Sequence, residues 1–280
     1  MLLFVCGEYN KSFGTFQLYD NNSDLEVSTL PTYLKDLVSG SPSSEQSSMW
    51  ASLLATLNSP TARQDRFNYQ LSCLYSDYCN APELSLKAIR KSIELSMKRE
   101  EQLDIVTAQH KQLLRLLIHF NMFSEVIDVL RLSHSFLSIS ERKDYFNRLL
   151  SYPNQNLEFF ATLLELCRSN EVKEKEQLLD VEDFGIVDSI LSENLTKGDW
   201  ESYMKLYSFR YINNFRREAA EVIYQYGSKY GDKQDIDTKK KIYLLMINVL
   251  ATFENTYDQW LLGGPNVITL ADLRREYAEL

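Results

Sequence analysis

The segment Leu103-Asp104-Ile105-Val106-Thr107-Ala108-Gln109-His110-Lys111-Gln112-Leu113-Leu114-Arg115-Leu116-Leu117-Ile118-His119-Phe120 decides the fold. Val106, Leu113, Leu117 and Phe120 recur at helical spacing along one face, and Leu114 and Ile118 widen it. So broad an apolar face has to be covered from two sides. Each such Leu or Ile contributes roughly 1.5–3 kcal/mol once buried. This helix therefore belongs in the middle of a stack of helices.

The same pattern extends in both directions. Upstream lie stripes at Trp50, Leu53, Leu54 and Leu57, then Phe67, Leu71, Leu74 and Tyr78, then Leu86, Ile89, Ile93 and Met97. Ser59-Pro60 reads as an N-cap with proline at the first helical position, and Pro82 restarts the pattern. Downstream, Asn121-Met122 is a tight turn into an antiparallel helix carrying Phe123, Val126, Ile127 and Leu130. Ser138-Ile139-Ser140-Glu141 is a capping box. It opens a helix with Tyr145, Phe146, Leu149 and Leu150, which Pro153 stops. Leu157, Phe160, Leu163, Leu164 and Cys167 follow, then Phe184, Val187, Ile190, Leu191 and Leu195. Gly198 stops a helix and Asp199 caps the next, which carries Trp200, Tyr203, Met204 and Tyr207. Phe215, Ala219, Val222, Ile223 and Tyr226 form another stripe, and Ile242, Leu245, Met246 and Val249 one more. Gly263-Gly264-Pro265-Asn266 is the clearest turn, and Leu270 to Leu280 reads as a last helix.

With only 9 Gly and 6 Pro in 280 residues, little interrupts these helices. The expected fold is all-α: an irregular α-helical solenoid of about a dozen antiparallel helices over 49–280. Residues 1–48 read as a less defined segment with a Ser-rich linker at 39–44. An aromatic with apolar residues four and seven places on recurs at Phe123, Trp200 and Phe215. The spacing between copies varies, so a regular tetratricopeptide or HEAT array does not fit.

The charge and the motifs exclude more than they assign. A net charge of -9 repels phosphate backbones, so direct nucleic-acid binding is not expected. Lys239-Lys240-Lys241, and Lys111 with Arg115, read as solvated faces. Cys6, Cys73, Cys79 and Cys167 form no C-x-x-C pair and read as buried reduced thiols, which suits cytosol or nucleoplasm. The run Met1 to Cys6 is too short and lacks the basic residues of a signal peptide. No run approaches the roughly 20 apolar residues that span a bilayer, so membrane association is expected to be indirect.

His110, His119 and His134 lack metal-ligand spacing, and no phosphate-cradling glycine loop or Gly-x-Ser-x-Gly elbow occurs. Glu100-Glu101 and Glu182-Asp183 read as helix-end or surface charge. Catalytic residues, cofactor and metal are therefore none, and the chain reads as a binding protein rather than an enzyme. The candidate partner surface is Tyr257, Trp260, Leu261 and Leu262, because Trp and Tyr are over-represented among interface hot spots. The competing reading makes these residues a terminal helix packed on its neighbour.

The second half also carries a resemblance. Arg216-Arg217-Glu218-Ala219-Ala220-Glu221-Val222-Ile223-Tyr224-Gln225-Tyr226-Gly227 resembles a characteristic helix of the one-twenty (fungal) or one-sixty (animal) scaffold nucleoporins. Blocks like Trp200 to Asn213, Lys240 to Leu250, Tyr257 to Leu261 and Leu270 to Tyr277 lie around it in the family's order, and Asp183 to Leu191 is similar to its short acidic helix. The resemblance covers about 83–280 and is closest to the fungal branch. It implies a long helical solenoid preceded by a β-propeller, of which this chain looks like the C-terminal solenoid portion. It further implies a structural part of the Y-shaped nuclear pore subcomplex at the nuclear envelope, with other Y-complex scaffold nucleoporins as partners and nucleocytoplasmic transport of mRNA and protein depending on it. The rival readings are a helical arm of a vesicle coat or proteasome lid, and a helical enzyme.

Overall fold

A computed structural model describes residues 64–77, 79–97, 103–151, 156–174 and 178–280. The stripes expected at Trp50 to Leu57, the Ser59-Pro60 cap, the linker at 39–44, Glu100-Glu101 and Pro153 lie outside the described residues. The described residues form eleven α-helices and one two-stranded hairpin. The chain divides into two compact units, one ending at Leu137 and the other starting at Ser138.

The first unit contains α1 (Gln64–Asp77), α2 (Pro82–Met97), α3 (Leu103–His119) and α4 (Phe123–Arg131). Each packs on the next in sequence. Phe67, Leu71, Leu74 and Tyr75 of α1 meet Leu84 and Ala88 of α2 in one apolar cluster. α3 is covered as its sequence demands: Leu113, Leu114, Leu116 and Leu117 are all buried. Met97, expected on the inner stripe of α2, is instead exposed. The α2 interior runs through Ser85, Ala88, Ser92 and Ser96, one side of the expected stripe. Those small residues let α1 and α3 approach closely, and their hydroxyls are used. Ser85 Oγ donates to the Ser72 carbonyl (2.7 Å) and Ser92 Oγ to the Asp65 carbonyl (2.5 Å). From α3, Gln109 Nε2 reaches Ser92 Oγ at 2.9 Å and Ser96 Oγ at 2.8 Å. Asn121 takes a φ of 54° between α3 and α4. Asparagine tolerates that left-handed turn better than most side chains.

The second unit contains α5 (Ile139–Ser151), α6 (Asn156–Glu174), α7 (Val181–Asn194), α8 (Trp200–Ile212), α9 (Arg216–Tyr230) and α10 (Ile236–Leu250). After α10 come strands β1 (Trp260–Gly263) and β2 (Asn266–Thr269) and the last helix α11 (Leu270–Ala278). Helices touch nearest and next-nearest neighbours in sequence: α5 meets α6 and α7, and α8 meets α6, α7 and α9. That is the packing of an irregular α-solenoid, and the all-α reading holds.

The capping signals read from sequence form as expected. The Glu141 carboxylate accepts from the Ser138 backbone N–H (2.9 Å) and the Ser138 hydroxyl accepts from the Glu141 N–H (3.3 Å). Gly198, at φ 71°, ends the turn after α7, and Asp199 caps α8 by accepting from the Ser202 N–H. Phe184 of α7 stacks on Phe209 and Phe215, with ring centres 5.1 and 4.3 Å away. Trp200 and Tyr203 both meet the Tyr226 ring edge to face. On α8 the fully buried positions are Tyr203, Leu206 and Phe209; Trp200, Met204 and Tyr207 are only half-buried. On α6, Leu157 is exposed and Phe159 is buried beside Phe160. On α8 the inner face is thus displaced by part of a turn, whereas on α6 Phe160, Leu163 and Cys167 are buried as expected and only Leu157 departs.

Glu182 and Asp183 are helix-end charges, in the first turn of α7, but only Glu182 is at the surface. Asp183 is wholly buried, and so is the guanidinium side chain of Arg142 on α5. Arg142 bonds Asp183 through Nη1 and the half-exposed Glu182 through Nη2. A buried carboxylate needs such a partner because desolvation penalises its charge.

Candidate functional site

The segment after α10 is a hairpin, not a helix end. Among Tyr257, Trp260, Leu261 and Leu262, Tyr257 lies in a single 3-10 turn (Thr256–Asp258) and the other three open β1. The strands pair antiparallel, with Trp260 opposite Thr269, Leu261 opposite Ile268, Leu262 opposite Val267 and Gly263 opposite Asn266. The turn residues are Gly264 and Pro265. Gly264 has φ 68°, which a two-residue hairpin turn requires at its first central position.

Alternation along β1 sets Leu261 apart from Leu262. Leu261 points into the fold and is 0% exposed. Leu262 and Tyr257 face outward, 48% and 87% exposed. Val267, the cross-strand partner of Leu262, is 60% exposed. Trp260 is half-buried. Leu261 is therefore an anchor of the hairpin. Leu262 and Val267 form an outward apolar pair, and Tyr257 is exposed separately in the turn before β1.

Helix α9 holds the hairpin with two residues one turn apart. Arg217 Nε donates to the Trp260 carbonyl (3.2 Å) and Nη2 to the Asp258 carbonyl (3.1 Å). Its guanidinium carbon lies 4.0 Å from the Trp260 ring centre and 5.4 Å from that of Phe253. Glu221 Oε1 accepts the Leu262 N–H at 3.0 Å. Arg217 and Glu221 thus serve the outer edge of β1 much as a third strand would, one supplying donors and the other an acceptor. Gly263 fits because it lacks a side chain: a Cβ there would overlap Ile268 and come within 2.9 Å of the Tyr224 ring. Gln259 joins both ends of the connection, donating to the Phe253 carbonyl (2.9 Å) while its own carbonyl accepts from the Leu270 N–H (2.9 Å). A capping box of Thr269 and Asp272 then starts α11. Tyr243 on α10 donates to Glu276 Oε2 on α11 at 3.0 Å. Burial, and then that carboxylate, push the Tyr243 hydroxyl up to about 12.

The residues weighed for chemistry are spent elsewhere. Cys167 is buried in α6, and burial pushes its thiol up to about 11, the opposite of an activated nucleophile. His110 stacks on Phe136 at 4.1 Å, and His119 is exposed beside Phe120. The Glu182-Asp183 pair is engaged by Arg142. Arg217, Glu221 and Val267 were not singled out from sequence. The signal available for the first two was their four-residue spacing, which places them on one helix face.

No protein-family model matches the chain. It is 46% identical over 279 residues to nucleoporin NUP120 of Saccharomyces cerevisiae, which covers 99% of this chain and 26% of that protein. The chain therefore spans about a quarter of the length of the curated relative it matches. The match runs across both units and the hairpin. The resemblance read from residues 83–280 accordingly extends over nearly the whole sequence, and the chain is a relative of the one-twenty nucleoporin.

Proposed function

We propose that this chain is a scaffold segment of the nuclear pore complex, a non-enzymatic part of its Y-shaped subcomplex at the nuclear envelope. It binds other scaffold nucleoporins through helical surfaces, and transport of mRNA and protein depends on it through the ring it helps build. The observation that carries this reading is the 46% identity to NUP120 along 99% of the chain. The helix packing supports it, since stacked helices offer long surfaces for protein partners. No helix among the described residues is long and apolar enough to cross a membrane, which agrees with attachment through partners.

The candidate contact residues are Tyr257, exposed in the turn before the hairpin, and Leu262, exposed on β1. A stable assembly needs roughly 1,200–2,000 Å² of interface, so this group would be one part of a larger surface. Tyr257→Ala with Leu262→Ser tests it in pull-downs with the other Y-complex scaffold nucleoporins. The expected result is at least tenfold weaker capture at unchanged helix content. Trp260→Ala is a poorer probe, because that ring also supports Arg217. A tagged copy with a diffuse signal instead of a punctate nuclear rim would overturn the assignment.

A further inference from the structure

The two edges of the hairpin differ. On β1, the Leu262 N–H goes to Glu221 and the Trp260 carbonyl to Arg217, so both groups point away from β2. In an antiparallel ladder the opposite residues then form non-hydrogen-bonded pairs. The register places Val267 and Thr269 opposite them. The backbone groups of these two residues therefore point away from β1, toward the outer edge of β2. The Thr269 N–H is taken by Asp272 Oδ2 at 3.1 Å, and its carbonyl sits at the cap of α11. Among the described residues nothing outside the hairpin takes the donor or acceptor of Val267, which remain for an incoming chain. Its side chain and that of Leu262 stand on one exposed face, ready to be covered by the same incoming residue.

We propose that the outer edge of β2 takes an extended segment of a partner protein as a third strand, paired at Val267 and carrying an apolar side chain onto Leu262 and Val267. The hydrogen-bond inventory favours this occupant. α9 has closed one edge with side chains, whereas the other still presents a backbone donor and acceptor beside an apolar pair. Strand addition draws affinity from main-chain bonds and specificity from the flanking side chains. The inference rests on the scaffold reading above, which supplies partner proteins.

The test is Val267→Pro beside Val267→Thr in the full chain. Binding is measured to the co-purified Y-complex scaffold nucleoporins of the same organism. Proline removes the outward N–H and no ladder bond, because Val267 donates nothing to β1; proline is tolerated at such edge positions. Threonine keeps the donor and a β-branched shape. The expected result is a tenfold or greater loss for V267P, less than threefold for V267T, and equal melting temperatures for all three. In the complex, the Val267 amide should exchange at least tenfold more slowly than in the free chain. V267P binding like the wild type, or an unprotected Val267 amide in the complex, overturns strand addition and leaves the scaffold reading standing. If the wild-type chain binds none of these proteins, both readings fall. A concentration-dependent dimer abolished by V267P overturns the partner assignment in favour of a second copy.

Discussion

The guanidinium of Arg217 lies across the indole of Trp260, 4.0 Å from its ring centre, while its Nε bonds the carbonyl of the same residue. One side chain thus grips both the ring and the backbone of β1. A stacked cation contributes about 0.5–2 kcal/mol, and hydrogen bonds from a charged group about 1.5–3 kcal/mol.

Arg217→Ala should therefore loosen the hairpin from α9 at a cost of about 1–3 kcal/mol. Trp260 fluorescence should shift red, and the Leu262 amide should exchange faster. Arg217→Lys retains the charge but not the planar fork, so it should recover less than half of the loss. Unchanged exchange at Leu262 in Arg217→Ala would assign the anchoring to Leu261 alone.

Arg142 and Asp183 make the second unit sensitive to charge removal. Arg142→Ala leaves a carboxylate buried without its cation and should cost about 3–5 kcal/mol in denaturant melts. Glu182→Gln touches the half-exposed partner and should cost under about 1 kcal/mol. The double change Arg142→Met with Asp183→Leu should recover most of the loss. A double variant no more stable than Arg142→Ala would locate the damage in packing rather than in charge.

His110 gives the first unit a pH dependence. Its ring packs on Phe136 and its Nδ1 lies 2.8 Å from the Val106 carbonyl. Burial holds its pKa below the ordinary histidine value, and the carbonyl offsets part of that effect. The unfolded chain then binds a proton first as pH falls through about 6.5, so stability is present above that pH and lost below it. The melting temperature of the wild type should drop further between pH 7.5 and 5.5 than that of His110→Phe, which keeps a ring against Phe136. Parallel profiles would remove His110 from the account.

The helices and their caps were legible in the residues because each depends on neighbours three or four positions away. Ser138 with Glu141, Gly198 with Asp199, and the broad face of α3 are all of this local kind. The hairpin was hidden because Tyr257 to Leu262 carries no strand alternation long enough to outweigh its helical surroundings; only the Gly263 to Asn266 turn announced it. Asp183 read as a helix-end or surface charge, and its burial was hidden because its partner Arg142 lies forty-one residues away. The split of Leu261 from Leu262 came from β1 register, and the exposure of Tyr257 from the turn before it, neither of which a helical reading could supply. The resemblance supplied the nucleoporin assignment, and the 46% identity extended it beyond the blocks that suggested it.

The serines at the centre of the first unit have a consequence for how such a chain finds its own fold. Helices rich in leucine can slide or exchange mates with little loss, since one greasy stripe resembles another. The hydroxyls of Ser72, Ser85 and Ser92 and the amide nitrogen of Gln109 find their partners only when α1, α2 and α3 meet in a single alignment. Any shifted alignment strands hydroxyls and amides away from water, at about 1–3 kcal/mol each. The polar seam thus acts as a key, rejecting look-alike helices both within this protein and in the crowded company of others built the same way.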